Sequence, residues 1–481
     1  MYIGLDLGTS STKGILVDAK GKIIREHTAE YPVYYPKDGW SEQNPSDWVV
    51  AVNKVLSVLT DGIKSEIKGL SVGGQMHGLV VLDGDGQVIR PCILWNDGRT
   101  DEETEYLNTV VGKEKLSQYT ANVAFAGFTA PKLLWLKKNE PDNFAKIAKI
   151  TLPKDYIIFK LTGKFSTDYS DASGMLLLDV KNKRWSKELC QICSVKEEWL
   201  PTLYESYEVV GNALPEYQMP NCVVCAGAGD NAAAAIGTGT IGDGDCNISL
   251  GTSGTIFIAQ NEFSVDKANA LHSFAHATGK YHLMGCILSA ASANKWWIED
   301  VLKTKDYDGA TKGATLGEND VYFLPYLMGE RSPHNDVNAR GVFFGLRPDT
   351  TREQMSLAVL EGVSFALRDC LEIARANGLT VNKTNLCGGG AKSKLWREII
   401  ANVLNVDVYM TETEQGPSFG AAILSMVGAG EYASLDVATK EIIKSKLVAK
   451  PDQDLAQKYE KRYSVFKTLY PALKEVFARI N

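Results

Sequence analysis

Residues 3–16 read Ile-Gly-Leu-Asp-Leu-Gly-Thr-Ser-Ser-Thr-Lys-Gly-Ile-Leu, two apolar runs joined by a short turn of glycine and hydroxyl residues. This pattern predicts a β-hairpin with a polar tip. Residues 247–258, Asn-Ile-Ser-Leu-Gly-Thr-Ser-Gly-Thr-Ile-Phe-Ile, repeat the pattern with the same Leu-Gly-Thr-Ser turn. The two turns lie about half of the 481-residue chain apart. Internal similarity at that spacing favours two copies of one structural unit.

A second, weaker repeat follows each predicted hairpin. Gly69–Gly74 reads Gly-Leu-Ser-Val-Gly-Gly, and residues 385–390 read Asn-Leu-Cys-Gly-Gly-Gly, a strand that ends in glycines. Either similarity alone has a plain alternative, because strands that end in such turns are common. Two similarities in the same order favour duplication.

Strand-like and helix-like segments alternate along the chain. Residues 78–82 and 221–226 resemble strands, whereas residues 47–59 and 354–376 carry apolar side chains at helical intervals. This alternation predicts the α/β class. Residues 452–480 are expected to form a helix that packs back on the body of the protein.

The domain boundary is predicted near residue 243. Residues 215–221 and 242–245 are the turn-rich stretches nearest the middle of the chain. We therefore expect two domains, residues 1–243 and residues 244–481.

The charge balance excludes some classes of function. The chain has 51 Lys and Arg against 58 Asp and Glu, so its formal net charge is −7. Without a basic block, neither a nucleic acid nor a membrane surface is expected as a partner. No apolar run approaches the ~18 residues of a membrane-spanning helix, and the first residues resemble a strand rather than a secretion signal. A soluble, cytoplasmic protein is expected.

The cysteines include two CxxC pairs, Cys190/Cys193 and Cys222/Cys225, among nine in total. A zinc ribbon is one interpretation of such pairs. The first pair lies in a helix-like segment, residues 185–193, and the second lies in a short apolar run that resembles a strand. Reduced thiols, as in a cytosolic protein, are the favoured interpretation.

The two predicted hairpin tips resemble phosphate-binding turns. Their backbone N–H groups and hydroxyls suit phosphate oxygens, and Lys13 adds a positive charge to the first. Asp6 precedes the first tip and would repel phosphate unless a hard cation such as Mg²⁺ lay between them. The second copy has Ser249 at that position. Two tight hairpins that merely have polar tips remain the alternative. No GxGxxG motif or P-loop competes for the role.

Residues 223–237 predict a strand, a glycine turn and a helix that opens at Asp230. Asp230 is either the N-cap of that helix or a general base that accepts a proton from a substrate hydroxyl.

Residues 73–78, Gly-Gly-Gln-Met-His-Gly, end another strand. Gln75 and His77 are able to hydrogen-bond a polyhydroxylated substrate, although a lone histidine is often structural. His272, His276 and His282 are interpreted as structural.

The whole chain resembles the FGGY carbohydrate kinases of the actin/Hsp70/hexokinase superfamily. Residues 127–139 and residues 341–361 match the two signatures of that family. Asp6-Leu-Gly-Thr-Ser and Gly-Asp230-Asn231-Ala occur in the family's order.

This resemblance implies two ribonuclease-H-like domains around a central cleft, with the sugar on the N-terminal side and ATP and Mg²⁺ mostly on the C-terminal side. Asp230 is then expected to be the catalytic base, and Asp6 to hold Mg²⁺, through water. The implied binding residues are Met76, His77, Asp230 and Asn231 for the sugar, Thr9, Ser10, Ser11, Lys13 and Thr252 for phosphate, and Gly389 and Gly390 for adenosine.

Within the family, residues 75–78, 95–99 and 289–292 are similar to kinases of D-xylulose. The expected reaction is ATP-dependent phosphorylation of D-xylulose to D-xylulose 5-phosphate. A kinase for ribulose or gluconate is the nearest alternative, and a non-catalytic Hsp70-like or actin-like ATPase is a more distant one. D-xylulose and ATP are the expected partners, and self-association into a homodimer stays open.

Overall fold

The computed structural model describes residues 1–413 and 416–480. Its strands, in chain order, are β1 Tyr2–Leu7, β2 Ser11–Val17, β3 Ile23–Glu30, β4 Glu42–Gln43, β5 Gly69–Gly74, β6 Val80–Leu82, β7 Cys92–Ile93, β8 Lys149–Thr151, β9 Ser166–Asp168, β10 Leu178–Asp179, β11 Arg184–Trp185, β12 Thr202–Tyr204, β13 Val209–Asn212, β14 Val223–Cys225, β15 Ala228–Gly229, β16 Cys246–Leu250, β17 Gly254–Gln260, β18 His272–Ala275, β19 Tyr281–Ile287, β20 Tyr322–Leu324, β21 Val342–Phe344, β22 Lys383–Cys387, β23 Asp407–Thr411 and β24 Ser445–Ala449.

The α-helices, in chain order, are α1 Pro45–Leu59, α2 Asp101–Glu105, α3 Lys113–Thr120, α4 Thr129–Asn139, α5 Pro141–Ala145, α6 Pro153–Thr162, α7 Tyr169–Ala172, α8 Lys187–Ile192, α9 Asp230–Gly237, α10 Ala291–Lys295, α11 Arg352–Ala376, α12 Lys394–Leu404, α13 Gly416–Gly428, α14 Leu435–Ile442 and α15 Gln453–Phe477. Residues Tyr106–Gly112 and Trp296–Val301 are π-helical, and short 3₁₀ turns occur at Lys64–Glu66, Ser173–Met175, Glu197–Trp199, Pro215–Tyr217, Gly309–Thr311 and Gly389–Lys392. No described helix is long and apolar enough to cross a membrane.

The described residues form two compact units. The first contains residues 1–241, 273–282 and 416–443, and the second contains residues 242–272, 283–413 and 444–480.

The two units have sheets of the same topology. In the first, β1 pairs with β2 antiparallel and with β5 parallel, and β14 continues the sheet parallel to β5. In the second, β16 pairs with β17 antiparallel and with β22 parallel, and β23 continues the sheet parallel to β22. The predicted duplication of one α/β unit is therefore confirmed, and the sheet of each unit is mixed.

The core of the first unit depends on helix α13, which packs against β1, β5 and α9. Glycines allow the close approach: a Cβ at Gly4 would collide with the Ser418 carbonyl oxygen, and one at Gly420 would collide with the Ala233 carbonyl oxygen. The last part of the chain to join this unit thus covers its first strand.

The core of the second unit is built on helix α11, which packs on α12 and β20. Helix α11 starts with a capping box, in which the Thr351 hydroxyl and the Gln354 side chain bond each other's backbone N–H groups. Its apolar face then runs for the full helix, and Phe365 lies fully buried in the core.

The predicted helices at 47–59, 354–376 and 452–480 are confirmed as α1, α11 and α15 with shifts of one to three residues. The predicted strand at 78–82 is shorter, because β6 begins only at Val80. His77, directly before the predicted strand, has a φ of 71°, so the chain is still turning there. Leu79 forms only an isolated bridge with Ile93.

Candidate active site

The first polar turn connects β1 and β2, as the sequence predicts. The Gly8 N–H donates to the Ser11 carbonyl at 3.0 Å and closes the turn. Ser10 is exposed, and Thr9 and Ser11 are partly buried. The donors at this tip therefore reach the surface of the first unit.

Thr9 is held by side chains from elsewhere in the first unit. Trp95 Nε1 donates to Thr9 Oγ1 at 3.0 Å, and Gln43 Nε2 donates to the Thr9 carbonyl at 2.6 Å. The turn is thus anchored to two segments of the first unit, of which only residues 95–99 were matched to known kinases, without a contact being assigned.

Asp6 and Lys13 are directly opposite each other in the β1–β2 register, so their side chains lie on the same face of the hairpin. Burial, together with the charge of Asp230, raises the pKa of Asp6 to about 7, and Lys13 opposes this rise. Asp6 therefore lies within electrostatic range of Asp230.

Asp230 is the first residue of α9, and Gly229 is its N-cap, so the N-cap interpretation of Asp230 is wrong. The Asp230 carboxylate accepts hydrogen bonds from the backbone N–H and the side-chain amide of Asn231, at 2.8 and 3.0 Å. Burial raises the pKa of Asp230 to about 6, while the Asn231 donors oppose the rise. At neutral pH this carboxylate is mostly ionised and able to accept a proton.

Met76 and His77 lie beside the turn that leads into Asp230. A Cβ on Gly229 would come within 2.9 Å of Met76 Cγ, so Met76 packs directly on that glycine. Both side chains are buried, with 5% and 8% exposure. The structure thus brings together Met76, His77, Asp230 and Asn231, the four residues predicted for the sugar.

The His77 ring is fixed on two sides. Its Nδ1 is 2.8 Å from the Gly174 carbonyl, and because a carbonyl only accepts, Nδ1 is the donor. Phe128 stacks on the ring with centroids 4.7 Å apart.

Lys132 holds the backbone of the same histidine. Its Nζ donates to the carbonyls of His77 and Gly127 at 2.9 and 2.6 Å, and the Thr129 hydroxyl donates to the His77 carbonyl at 3.1 Å. Burial lowers the pKa of this fully enclosed lysine to about 7. The sequence analysis did not predict this role. The available signal was the position of Lys132 within the first family signature, residues 127–139.

The second polar turn joins β16 to β17 in the second unit and is bonded to the start of α10. The Thr252 carbonyl accepts from the Ala290 N–H at 3.0 Å and from the Ser292 hydroxyl at 2.7 Å. The Thr252 side chain is exposed.

A cavity of about 690 Å³ opens beside this turn, within the size range of small-molecule sites. Its lining brings together the predicted Thr252, Gly389 and Gly390 with Ala291, Ser292, Asn294, Lys295, Tyr307, Asp308, Lys392, Ser393 and Trp396. A Cβ on Gly389 would meet nothing within 4 Å, whereas one on Gly390 would lie 2.8 Å from the Trp396 ring. Gly389 therefore faces open space, and Gly390 allows tight packing behind it.

Several lining residues were not predicted. Lys295 comes from α10, and Tyr307 and Asp308 come from a segment that carries no motif. Their approach to the cavity depends on tertiary structure. Helix α12 begins at Lys394, directly after the cavity-lining Ser393.

Asp6 and Asp230 suit a hard cation. Two nearby carboxylates offer oxygen ligands, and the charge of Asp230 raises the pKa of Asp6. No described residue donates a hydrogen bond to the Asp6 carboxylate. Mg²⁺ is usually held by one or two carboxylates together with substrate phosphates and water. Among the described residues, there is no cluster of three or more metal-binding side chains, so a cation here would need ligands from the substrate.

The other histidines and the cysteines have placements that fit structural roles. His276 Nε2 lies 2.9 Å from the Thr240 carbonyl, and burial lowers the pKa of His282 well below its usual value. All nine cysteines are free thiols, with Cys190 in α8 and Cys225 in β14.

Asp230 is half-buried beside the Met76–His77 turn, and the second unit has a separate cavity of about 690 Å³. In a duplicated α/β fold, this is the arrangement expected of a two-domain carbohydrate kinase. The chain belongs to the FGGY family of carbohydrate kinases. Residues 1–237 match the N-terminal domain of that family, and residues 246–429 match the C-terminal domain.

The chain is similar to known proteins over almost its full length. It is 39% identical to a xylulose kinase of Escherichia coli strain K12, over 99% of this chain and 100% of that protein. The crystal structure of a "xyloylose kinase" from Brucella ovis matches with a TM-score of 0.94 and 38% identity over 99% of each chain. That of a gluconate kinase from Lactobacillus acidophilus matches with a TM-score of 0.95 and 28% identity, over 100% of this chain and 99% of that one.

Proposed function

We propose that the protein phosphorylates D-xylulose at its 5-hydroxyl with ATP, to give D-xylulose 5-phosphate and ADP. The observation that carries the proposal is the joint placement of Met76 and His77 with Asp230 and Asn231. The similarity to a xylulose kinase over the full chain supports the choice of sugar.

Asp230 is proposed to orient the sugar hydroxyl and to take its proton as the oxygen attacks the γ-phosphorus. With a pKa of about 6, Asp230 is ionised at neutral pH and basic enough to accept that proton late in the transfer. Asn231 stabilises the ionised form through its two donors. The product is the phosphate ester, and the proton then leaves Asp230 for solvent.

His77 and Met76 are proposed to shape the sugar site. The bond between His77 Nδ1 and Gly174 fixes the ring, and the packing of Met76 on Gly229 places an apolar wall next to the base. A rigid site of this kind orients the hydroxyl before the reaction begins.

The second unit is proposed to hold the nucleotide. Thr252 offers a hydroxyl for phosphate, and Gly389 and Gly390 provide a surface against which adenosine can lie. Thr9, Ser10, Ser11 and Lys13 of the first turn are proposed to bind phosphate as well. Mg²⁺ held at Asp6 through water would neutralise charge on the phosphates when bound.

We propose that the two predicted domains bind different substrates. Residues 1–243 would bind the sugar, and residues 244–481 would bind the nucleotide. Location in the cytoplasm is proposed from the nine free thiols. A homodimer remains a prediction that sedimentation would test.

A gluconate kinase is the second candidate, since the gluconate kinase structure matches with a TM-score of 0.95. Its lower sequence identity, 28% against 39% for the xylulose kinase, favours D-xylulose.

The proposal is tested by ADP production with ATP and a panel of D-xylulose, D-ribulose, gluconate and glycerol, and with no sugar. We expect D-xylulose to give the highest kcat/KM. Sugar-independent ADP production at the same rate would indicate an ATPase module, and preference for gluconate would establish the second candidate.

Asp230→Ala is expected to lower sugar-dependent turnover about 10³-fold while nucleotide binding, measured by calorimetry, is retained. Asp85→Ala, which removes an exposed carboxylate of the same unit, is the control. Normal turnover in Asp230→Ala would refute the role of base.

A further inference from the structure

A fully buried charged cluster lies in the first unit behind the proposed base. Lys154 Nζ is 2.9 Å from Asp168 Oδ1 and 3.7 Å from Asp171 Oδ2, and it also pairs with Asp155. All four side chains have no exposed surface. The free energy lost by removing two charges from water is about as large as the free energy gained from their attraction. A contribution to folding stability therefore does not by itself explain why the cluster is there.

Asp168 is the centre of a hydrogen-bond network within this cluster. Its Oδ2 accepts from the Ser170 hydroxyl at 2.5 Å and from the Ser206 hydroxyl at 2.7 Å. Its Oδ1 faces Lys154. One carboxylate thus connects the neighbouring Ser170 with Lys154 and with Ser206, which lies 38 residues further along the chain.

All three of these partners bond the segment that leads into Asp230. Ser170 Oγ accepts from the Gly229 N–H at 3.1 Å, and the Ser206 carbonyl accepts from the Gly227 N–H at 3.0 Å. Lys154 Nζ donates to the Ala226 carbonyl at 3.2 Å.

The segment needs such support because it is rich in glycine. Gly227 has a φ of 73°, and Gly229 is the N-cap directly before Asp230. Glycine loses more conformational freedom on folding than other residues, so the direction of Asp230 depends on how firmly residues 226–229 are held. Burial raises the pKa of Asp171 well above its usual value, and the charge of Asp230 adds to that rise, which places the cluster within electrostatic range of the base.

We propose that Asp168 is a positioning residue for phosphoryl transfer, and that it acts through Ser170 and Ser206 to hold residues 226–229 so that Asp230 faces the sugar hydroxyl. The inference rests on the proposed role of Asp230 as base. Asp168 itself contacts neither substrate. Loss of its hydrogen bonds is therefore expected to lower kcat rather than to weaken substrate binding.

The test begins with Ser170→Ala, which removes the link between Asp168 and the Gly229 N–H. We expect kcat for D-xylulose to fall about 10- to 100-fold, the range for a displacement near 1 Å of a reacting group, with KM for both substrates little changed. Ser170→Thr keeps the hydroxyl and should recover most of the lost kcat.

Ser186→Ala is the matched control. The Ser186 hydroxyl is also buried, accepts a backbone N–H, from Leu189, and approaches the carboxylate of Glu188. It caps α8 and contacts no residue of 226–229, so kcat should be unchanged even if the melting temperature falls. An equal loss of kcat in Ser186→Ala would overturn the proposal, because the effect would then be general destabilisation.

A double-mutant cycle tests whether Ser170 acts through the base. In an Asp230→Asn background, Ser170→Ala should cause no further loss of the residual kcat. A full, additive loss there would overturn the proposal. If Ser170→Ala does not fold, as judged by circular dichroism, Ser206→Ala is used in the same cycle with the same expected result.

The two proposals fail in different ways. Full turnover in Asp230→Ala would remove the base and with it the proposed function. Strong dependence on Asp230 combined with unchanged kcat in both Ser170→Ala and Ser206→Ala would overturn the positioning role alone.

Discussion

Replacing Gly174 by alanine should damage the proposed sugar site without affecting the proposed nucleotide site. A Cβ on Gly174 would lie 2.5 Å from His77 Cε1, and ordinary contacts begin at 3.4 Å. The histidine ring must therefore move by about 0.9 Å, the difference between those two distances. Phe128 is stacked on the ring with centroids 4.7 Å apart, so a shift of the ring also disturbs that contact.

The expected magnitude follows from this displacement. A shift near 1 Å in a positioning group costs about 10²-fold in rate, and this corresponds to about 2.7 kcal/mol of transition-state stabilisation. The bond between His77 Nδ1 and the Gly174 carbonyl, now 2.8 Å, would also be distorted. We expect kcat/KM for D-xylulose to fall by that factor. KM for ATP should stay unchanged, because the nucleotide cavity is lined by residues of the second unit.

The assay is steady-state ADP production with each substrate varied in turn. Gly84→Ala is the control, since a Cβ there meets nothing within 4 Å. If Gly174→Ala is folded, with a melting temperature near that of the wild type, and its kcat/KM for D-xylulose is also unchanged, the argument that His77 is fixed by Gly174 is wrong.

Three further outcomes are expected. Because burial raises the pKa of Asp230 to about 6 and the base must be ionised, kcat/KM for the sugar should fall as pH drops through about 6; a profile flat down to pH 5 would contradict this. Burial lowers the pKa of Lys132 to about 7, so between that pH and the usual 10.5 the unfolded chain holds a proton that the folded chain has lost, and folded stability rises with pH. The free energy of unfolding by urea should therefore increase from pH 7 to pH 9, by about 2 kcal/mol more in the wild type than in Lys132→Met. Gly389→Ala should raise KM for ATP without lowering the melting temperature. Gly390→Ala, whose Cβ would press against Trp396, should lower the melting temperature. Equal melting temperatures for the two variants would contradict the conclusion that Gly389 faces open space.

The hairpins were predictable from sequence because their signals are local. Two apolar runs and a Gly-Thr-Ser turn specify antiparallel pairing within a dozen residues, and both β1–β2 and β16–β17 form as expected. The placement of Asp230 at the opening of a helix was predicted for the same reason, although its role as N-cap was not confirmed because Gly229 takes that position.

The supports of the site were not predictable, because they depend on contacts between distant segments. Lys132 binds the His77 carbonyl across 55 residues of chain, and Ser170 binds the Gly229 N–H across 59. A buried lysine or serine has no periodic pattern that distinguishes it from a surface one. Only the family signature pointed to Lys132, and no comparable signal pointed to Lys154 or Asp168.

Helices α13 and α14 belong to the first unit although they come near the end of the chain. Residues 1–241 are therefore synthesised with the α13-binding face of β1 and β5 uncovered, and that face stays open until α13, which ends at Gly428, has been made. Expression of the N-terminal half alone would leave this apolar surface exposed, and the newly made chain must keep it from aggregating while residues 242–272 and 283–413 of the second unit are translated. The order of synthesis thus exposes the nascent chain to aggregation for a time, whereas the same face is covered in the folded enzyme.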